Sequence, residues 1–496
     1  MNAALVVIAA AAAMTLALGL AGRSGQDMSF EQWAIAGRGF GGLMTFMLMA
    51  GETYTAFTFL DASGWAYGRG APAYCLLASG AIACMFSYWL LPPIWRYAKQ
   101  QRLISQPHFF SRKYASPGLG GLVALVGALA LFPSIVLQLK GLGVIVSVAT
   151  GGALGAGPAI WIGAATASVY VIVSGARGVA WNAAVKDCLI FAVVAFLGLY
   201  LPARYYGGLG DMFRAIDVAK PDFLAFKPSG SSVLWFQSTV TLTALGFFMW
   251  PQAFSAAFAA RDARAFRRNA ALLPLYQLIV LFAFFCGFAA IQQVPGLAGP
   301  EIDQALLRLS LKTFDPWFVG VIGAAGALTA LTPAAFLILC VTTLLANDVL
   351  RGLYPDVAER KVALFARSLT PAIALFAVYF ALWGGRTIAA LLLMGYSFVT
   401  QLFPATACSL MRKNPMTKQG AAAGIVVGVA AVAYVTLTHS TFVSLMPFLP
   451  AQAADVNVGF AALILNALAA AVVSLATRAA KRAAPAPPRG AARPAR

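Results

Sequence analysis

The chain has 496 residues, of which 61% are hydrophobic and only 10% charged, and its mean hydropathy is +0.80. A soluble domain carries about 25% charged residues, so a soluble globular fold is excluded, and recurring runs of about 20 apolar residues mark membrane helices rather than the alternating strands of an outer-membrane barrel. The net charge of +19 belongs to topology-setting loops rather than to nucleic-acid contact, because no helix-turn-helix, RRM or zinc-finger pattern accompanies it.

Thirteen spans are predicted, near 3–21, 42–65, 72–93, 119–149, 157–174, 180–201, 233–252, 271–293, 317–346, 361–383, 387–411, 419–437 and 457–478. The first lacks a basic segment ahead of its Ala-rich core and reads as a helix, not a cleaved leader. Counting Lys and Arg in alternate loops puts 25 on one side and 8 on the other. The rich side is expected to be cytoplasmic, with the N-terminus outside and the C-terminus inside. The segment from Ala479, AAKRAAPAPPRGAARPAR, reads as a disordered basic tail, and no kinase or receiver domain is expected after the last span. The six cysteines lie in or beside apolar runs, and His108 and His439 are isolated. No disulfide, metal centre or catalytic cluster is therefore expected, so the chain does not read as an enzyme.

The second span, GGLMTFMLMAGETYTAFTFLDASG, holds Gly51, Glu52, Thr53 and Thr55 at its middle. The seventh, TLTALGFFMWPQAFSAAF, is interrupted by Pro251 and Gln252, five spans later. Paired interruptions at corresponding places in two halves point to a transporter, with freed carbonyls and half-helix ends binding ions and substrate at mid-membrane. Glu52, Asp61, Lys140, Lys186 and Asp187 lie within or beside apolar runs. Each would cost about 2.5–3.5 kcal/mol facing lipid, so each is expected to face the bundle interior or water. Glu52 is either a functional carboxylate or an acceptor for the broken backbone. Asp61 sits near the outer end of its span. Lys140 is a candidate counter-ion for a carboxylate substrate or a partner of Glu52. Lys186 and Asp187, being adjacent, are expected to point apart and not to pair, with snorkelling open to them. In the ninth span Thr329 and Thr332 share a face with the carbonyl freed by Pro333, a set of oxygens suited to a hard cation.

With these residues in view, the chain resembles the sodium:solute symporter family from about residue 30 to residue 440. The carrying segments are WAIAGRGFGG, GETYTAFTFLDASGWAYG, SGARGVAWNAAVKD, GFFMWPQAFSAAFAARDARAFRRNA, LTPAAFLILCVTTLLANDVL and GYSFVTQLFPATACSLMRKNP. The segment around Glu52 looks most like the branch of bacterial monocarboxylate permeases. The resemblance implies an all-α, LeuT-like bundle of two inverted five-helix repeats. They are expected at 42–205 and 206–411, with an extra helix and loop at 1–41, two helices at 412–478 and the tail at 479–496. It implies a cation site of Gly51, Tyr54, Thr329 and Thr332. Substrate-facing positions by the same resemblance are Thr53, Thr55, Thr58, Trp250, Gln252 and Tyr396.

The sequence departs from the family in two places. Pro333 follows Thr332 where a second Ser or Thr is usual, and the W-T-D-x-x-Q pattern reads Trp181, Asn182, Ala183, Ala184, Val185, Lys186. In proton-coupled relatives of the fold a lysine ammonium stands in for sodium. The expected function is sodium-coupled symport of a small solute, an organic monocarboxylate or amino acid, into a bacterial cell across its inner membrane by alternating access. The alternative is proton coupling through Lys186 or Glu52; from another class, a membrane sensor domain. The partners expected are the solute, Na+ or H+ and the bilayer, with no cofactor, no nucleic acid and no obligate protein partner.

Overall fold

The computed structural model describes residues 2–23, 29–354, 356–384, 388–445 and 450–483. The part of the predicted tail beyond 483 lies outside them. The described residues are almost wholly helical, and they contain one isolated parallel bridge, Phe40 to Ala260.

The long helices are α1 (Ala3–Ala21), α2 (Gly42–Thr53), α3 (Ala56–Arg69), α4 (Cys75–Gln100), α5 (Pro117–Ala149), α6 (Ala156–Ser174), α7 (Ala176–Tyr206), α8 (Val233–Gly246) and α9 (Pro251–Ala259). They continue with α10 (Arg264–Gln277), α11 (Ile279–Gln293), α12 (Pro316–Leu344), α13 (Glu359–Trp383), α14 (Ile388–Val399), α15 (Phe403–Leu410), α16 (Lys418–Thr438) and α17 (Val458–Ala483). Among the described residues, ten spans are long and apolar enough to cross a membrane, or eleven if the pair Val233–Met249 and Pro251–Ala259, bent by 48°, counts as one. The two other predicted spans, 42–65 and 387–411, are each built from two shorter helices, α2 with α3 and α14 with α15.

Helix α12 forms the centre. It packs on α1, α5, α7 and α6, and 94% of its most apolar window is buried, as expected of a helix that is apolar all round. Gly326 lets α3 approach it: a Cβ there would meet Phe59 Cε1 at 2.6 Å.

Both predicted interruptions are real breaks. Tyr54 (φ −111°, ψ 97°) and Thr55 (φ −119°, ψ −178°) are extended between α2 and α3. Thr55 then restarts the helix through a reciprocal capping box with Thr58. At the second break Trp250 is extended (φ −67°, ψ 139°) and Pro251 opens α9, where its missing N–H costs nothing. Each break leaves orphan backbone groups, and a glutamine from another element satisfies one of them. The Ala56 amide donates to Gln138 Oε1 of α5 at 3.1 Å, and Gln106 Nε2 donates to the Met249 carbonyl at 2.7 Å. The chain just before α2 also meets the chain just after α9. Phe40 N donates to Ala259 O at 3.1 Å and Arg261 N to Phe40 O at 2.8 Å.

Candidate functional site: a cavity and a cation seat between the broken helices

The breaks face a shared cavity of about 130 Å³. Glu52, Thr53, Thr55 and Thr58 line it from the first break, Trp250 and Gln252 from the second, and Tyr396 from α14. All seven are predicted site residues, and the fold brings them together. Trp250 and Tyr396 meet edge to face, ring centroids 5.3 Å apart, and form an aromatic wall. Gln252 Oε1 is buried without a hydrogen-bond partner, which leaves it available to a solute. Lys140 is half-buried and is not among the lining residues. Among those residues Glu52 is the one acid, and none is Lys, Arg or His.

Beside the cavity lies the predicted cation seat. The carbonyls of Gly51 and Tyr54 converge there because α2 ends between them. The Lys186 ammonium occupies it, donating to Gly51 O at 2.6 Å and to Tyr54 O at 2.8 Å. A Cβ on Gly51 would lie 3.1 Å from the Ala183 Cβ and 3.4 Å from Lys186 Nζ, so Gly51 and Ala183 together make room for the lysine. Thr329 donates to Gly326 O of its own helix, and the Thr332 hydroxyl is buried with no partner.

The expectations for Lys186 and Asp187 are corrected here. Lys186 does not snorkel; its side chain is fully buried. It also pairs with its neighbour, Nζ to Asp187 Oδ1 at 3.0 Å. Neighbours on a helix diverge at Cβ, but the four-carbon lysine stem bends back, and burial penalises either charge alone. Glu52 lies close enough to this pair to feel both charges.

Sequence reasoning missed Gln138 and Gln106, which hold the breaks, and Ser134, Thr239, Thr243 and Gln277, which line the cavity. A glutamine inside the apolar run of α5, two residues before Lys140, was the signal for the first. Outside the spans, the short helix Gln106–Lys113 carries His108. Burial, then Arg112, Arg351 and Arg38, push its imidazole from the usual 6.5 down to about 4.

A family profile described as the sodium:solute symporter family matches residues 33–428. An uncharacterized symporter of Bacillus subtilis, YhjB, is 55% identical over 484 residues, covering 98% of this chain and 99% of its own. A monocarboxylate transport permease protein of Rhizobium johnstonii is 28% identical over 364 residues, 71% of each chain. The solved substrate-bound, outward-open state of a Na+-coupled sialic acid symporter superposes with a TM-score of 0.80. At 14% identity it covers 97% of this chain and 98% of that one. The LeuT-like fold is shared with it.

Proposed function

The chain belongs to the sodium:solute symporter family, and from that premise we propose that it carries a small polar solute inward, driven by a cation that acts through the Gly51–Tyr54 seat. It works by alternating access across a bacterial inner membrane, with the N-terminus outside and the C-terminus in the cytoplasm. No cofactor takes part.

The observation that carries the coupling reading is the ammonium on the two carbonyls. Sodium in a seat of this kind would stabilise the break by accepting carbonyl oxygens as ligands. Protonated Lys186 supplies the same positive charge and the same two contacts from inside the chain. A proton gained and lost at Lys186 then orders and loosens the break, as a bound ion would. Sodium coupling, the habit of the family, requires Lys186 to leave these carbonyls or the ion to bind elsewhere.

The solute reading rests on the cavity. One acid and no cationic side chain among its lining residues suit a solute that brings its own positive charge. A bare monocarboxylate, the cargo in the name of the Rhizobium relative, finds no cationic partner there. An amino acid places its ammonium at Glu52 and its carboxylate among the Thr hydroxyls and the amides of the break.

The test is uptake into proteoliposomes of labelled pyruvate and of labelled alanine, in sodium-free vesicles with an inward proton gradient and in vesicles with a sodium gradient at equal pH. Alanine uptake on the proton gradient alone is expected. Uptake that needs sodium overturns the lysine reading, and pyruvate uptake unaffected by excess alanine overturns the zwitterion.

A further inference from the structure

The outer half of the first broken helix holds a buried acid that this transport reading leaves unused. Asp61 on α3 is 0% exposed, and neither of its carboxyl oxygens meets a donor. It looks onto the 3-10 turn Gly299–Gln304, which lies between α11 and the helix Ala305–Thr313. There the carboxyl of Asp303, 6% exposed, faces it within hydrogen-bonding reach. Gly64, one turn further along the same face of α3, sets the closeness. A Cβ at Gly64 would lie 2.9 Å from Asp303 Cα and from Ile302 O, so the turn rests directly on the helix backbone.

Two carboxylates pressed together out of water repel, and the arrangement is stable only if one holds a proton that it donates to the other. Among the described residues, the surroundings balance one negative charge and not two. Arg69, at the end of α3, is the cation close to both acids, and its guanidinium is 4.1 Å from the Trp65 ring centroid. From the neighbouring elements, α11 and α12 offer no charged side chain to the pair. Lys140 stands on α5, and the segment Ala71–Tyr74 offers only Tyr74, ahead of Cys75. Helix Ala305–Thr313 brings Arg308, which sits 3.5 Å from Glu301 of the same turn, and Lys312, which donates to Gln293. α14 brings Tyr396. On the turn itself, burial pushes Asp303 up to about 6, against the lowering effect of Asp61 and Arg69.

We propose that Asp61 and Asp303 form one proton-binding site that fastens the Gly299–Gln304 turn to the outer half of the first broken helix, and that loss of the proton lets the turn lift. In the fastened state one carboxyl O–H donates to the other carboxylate. On release the proton passes to water, both acids are ionised, and Arg69 neutralises only one. The turn lies on the side predicted to face outward, so external pH sets the fastening.

Hydrogen–deuterium exchange of the peptide covering 299–304, corrected for intrinsic exchange rates, tests this on the purified full chain in detergent between pH 5 and pH 8. No solute and no gradient is present, so the result does not depend on which ion drives transport. In the wild type, protection is expected to fall by up to about tenfold per pH unit as pH rises from the ordinary carboxylate range to the raised titration of the fastened pair, the slope of one linked proton, and to level off above it. Asp303→Asn and Asp61→Asn carry a permanent neutral donor and are expected to remove that slope while the turn stays protected at pH 5. Asp303 lies nearer the surface, so Asp303→Asn decides the matter if Asp61→Asn fails to fold. Protection independent of pH in the wild type, or the same slope retained in Asp303→Asn, overturns the proposal.

Discussion

Lys186 is held by three oxygens, and removing its charge separates what those contacts do. In Lys186→Gln an amide can still reach a carbonyl, but no proton can be carried, and Asp187 loses its ion-pair partner. Breaking a buried pair by one side costs about 3–5 kcal/mol, so thermal unfolding should register a marked loss. The double variant Lys186→Gln, Asp187→Asn should recover much of that stability, while uptake driven by a pH gradient stays at the passive level and solute counterflow persists. Counterflow lost together with gradient-driven uptake in a stable double variant would assign Lys186 to the solute instead. His108 gives the opposite case. Its folded pKa lies near 4, below the usual 6.5, so the fold favours the neutral ring. The stability this contributes is fully present above 6.5 and is lost as pH falls towards 4. His108→Gln should therefore flatten the acid side of a melting profile taken from pH 7.5 down to pH 5, and leave the melting temperature near pH 7.5 almost unmoved.

At the scale of the helix, each break is a local property of the sequence stabilised by a distant residue. Gly51, Glu52 and Thr53 weaken the end of α2, and Thr55 with Thr58 starts α3 again; Trp250 and Pro251 do the same for α9. Those signals are legible in the chain because propensity and capping act within four or five residues. The glutamines that complete the breaks are not, since Gln138 lies 82 positions from Ala56 and only the fold brings them together. The Lys186–Asp187 pair was missed for a different reason. A helical wheel fixes directions at Cβ, whereas a lysine ends its charge several bonds beyond. Gln138→Leu leaves the Ala56 amide buried without a partner, at a cost of about 1–3 kcal/mol. The expected outcome is a lower melting temperature together with weakened solute affinity. Normal affinity in a destabilised Gln138→Leu protein would show that the break holds its shape without α5.

For the whole molecule, the legible features were those repeated many times over: apolar runs, the two interruptions, and the uneven distribution of Lys and Arg. The last of these makes a prediction that the packing of helices leaves open. A fluorescent reporter that matures only in the cytoplasm should light up on the C-terminus and stay dark on the N-terminus, and the reverse pattern would invert every assignment of inside and outside. The joint between Phe40 and Ala259–Arg261 has a consequence of another kind. It ties the start of α2 to the end of α9 through main-chain atoms alone. Main-chain hydrogen bonds are indifferent to side-chain identity, so among ordinary substitutions only proline at Phe40 or Arg261 deletes a donor. Mutations can therefore accumulate around the cavity and change its cargo without altering how the two broken helices are joined: solute preference is free to drift while the linkage between halves is inherited intact.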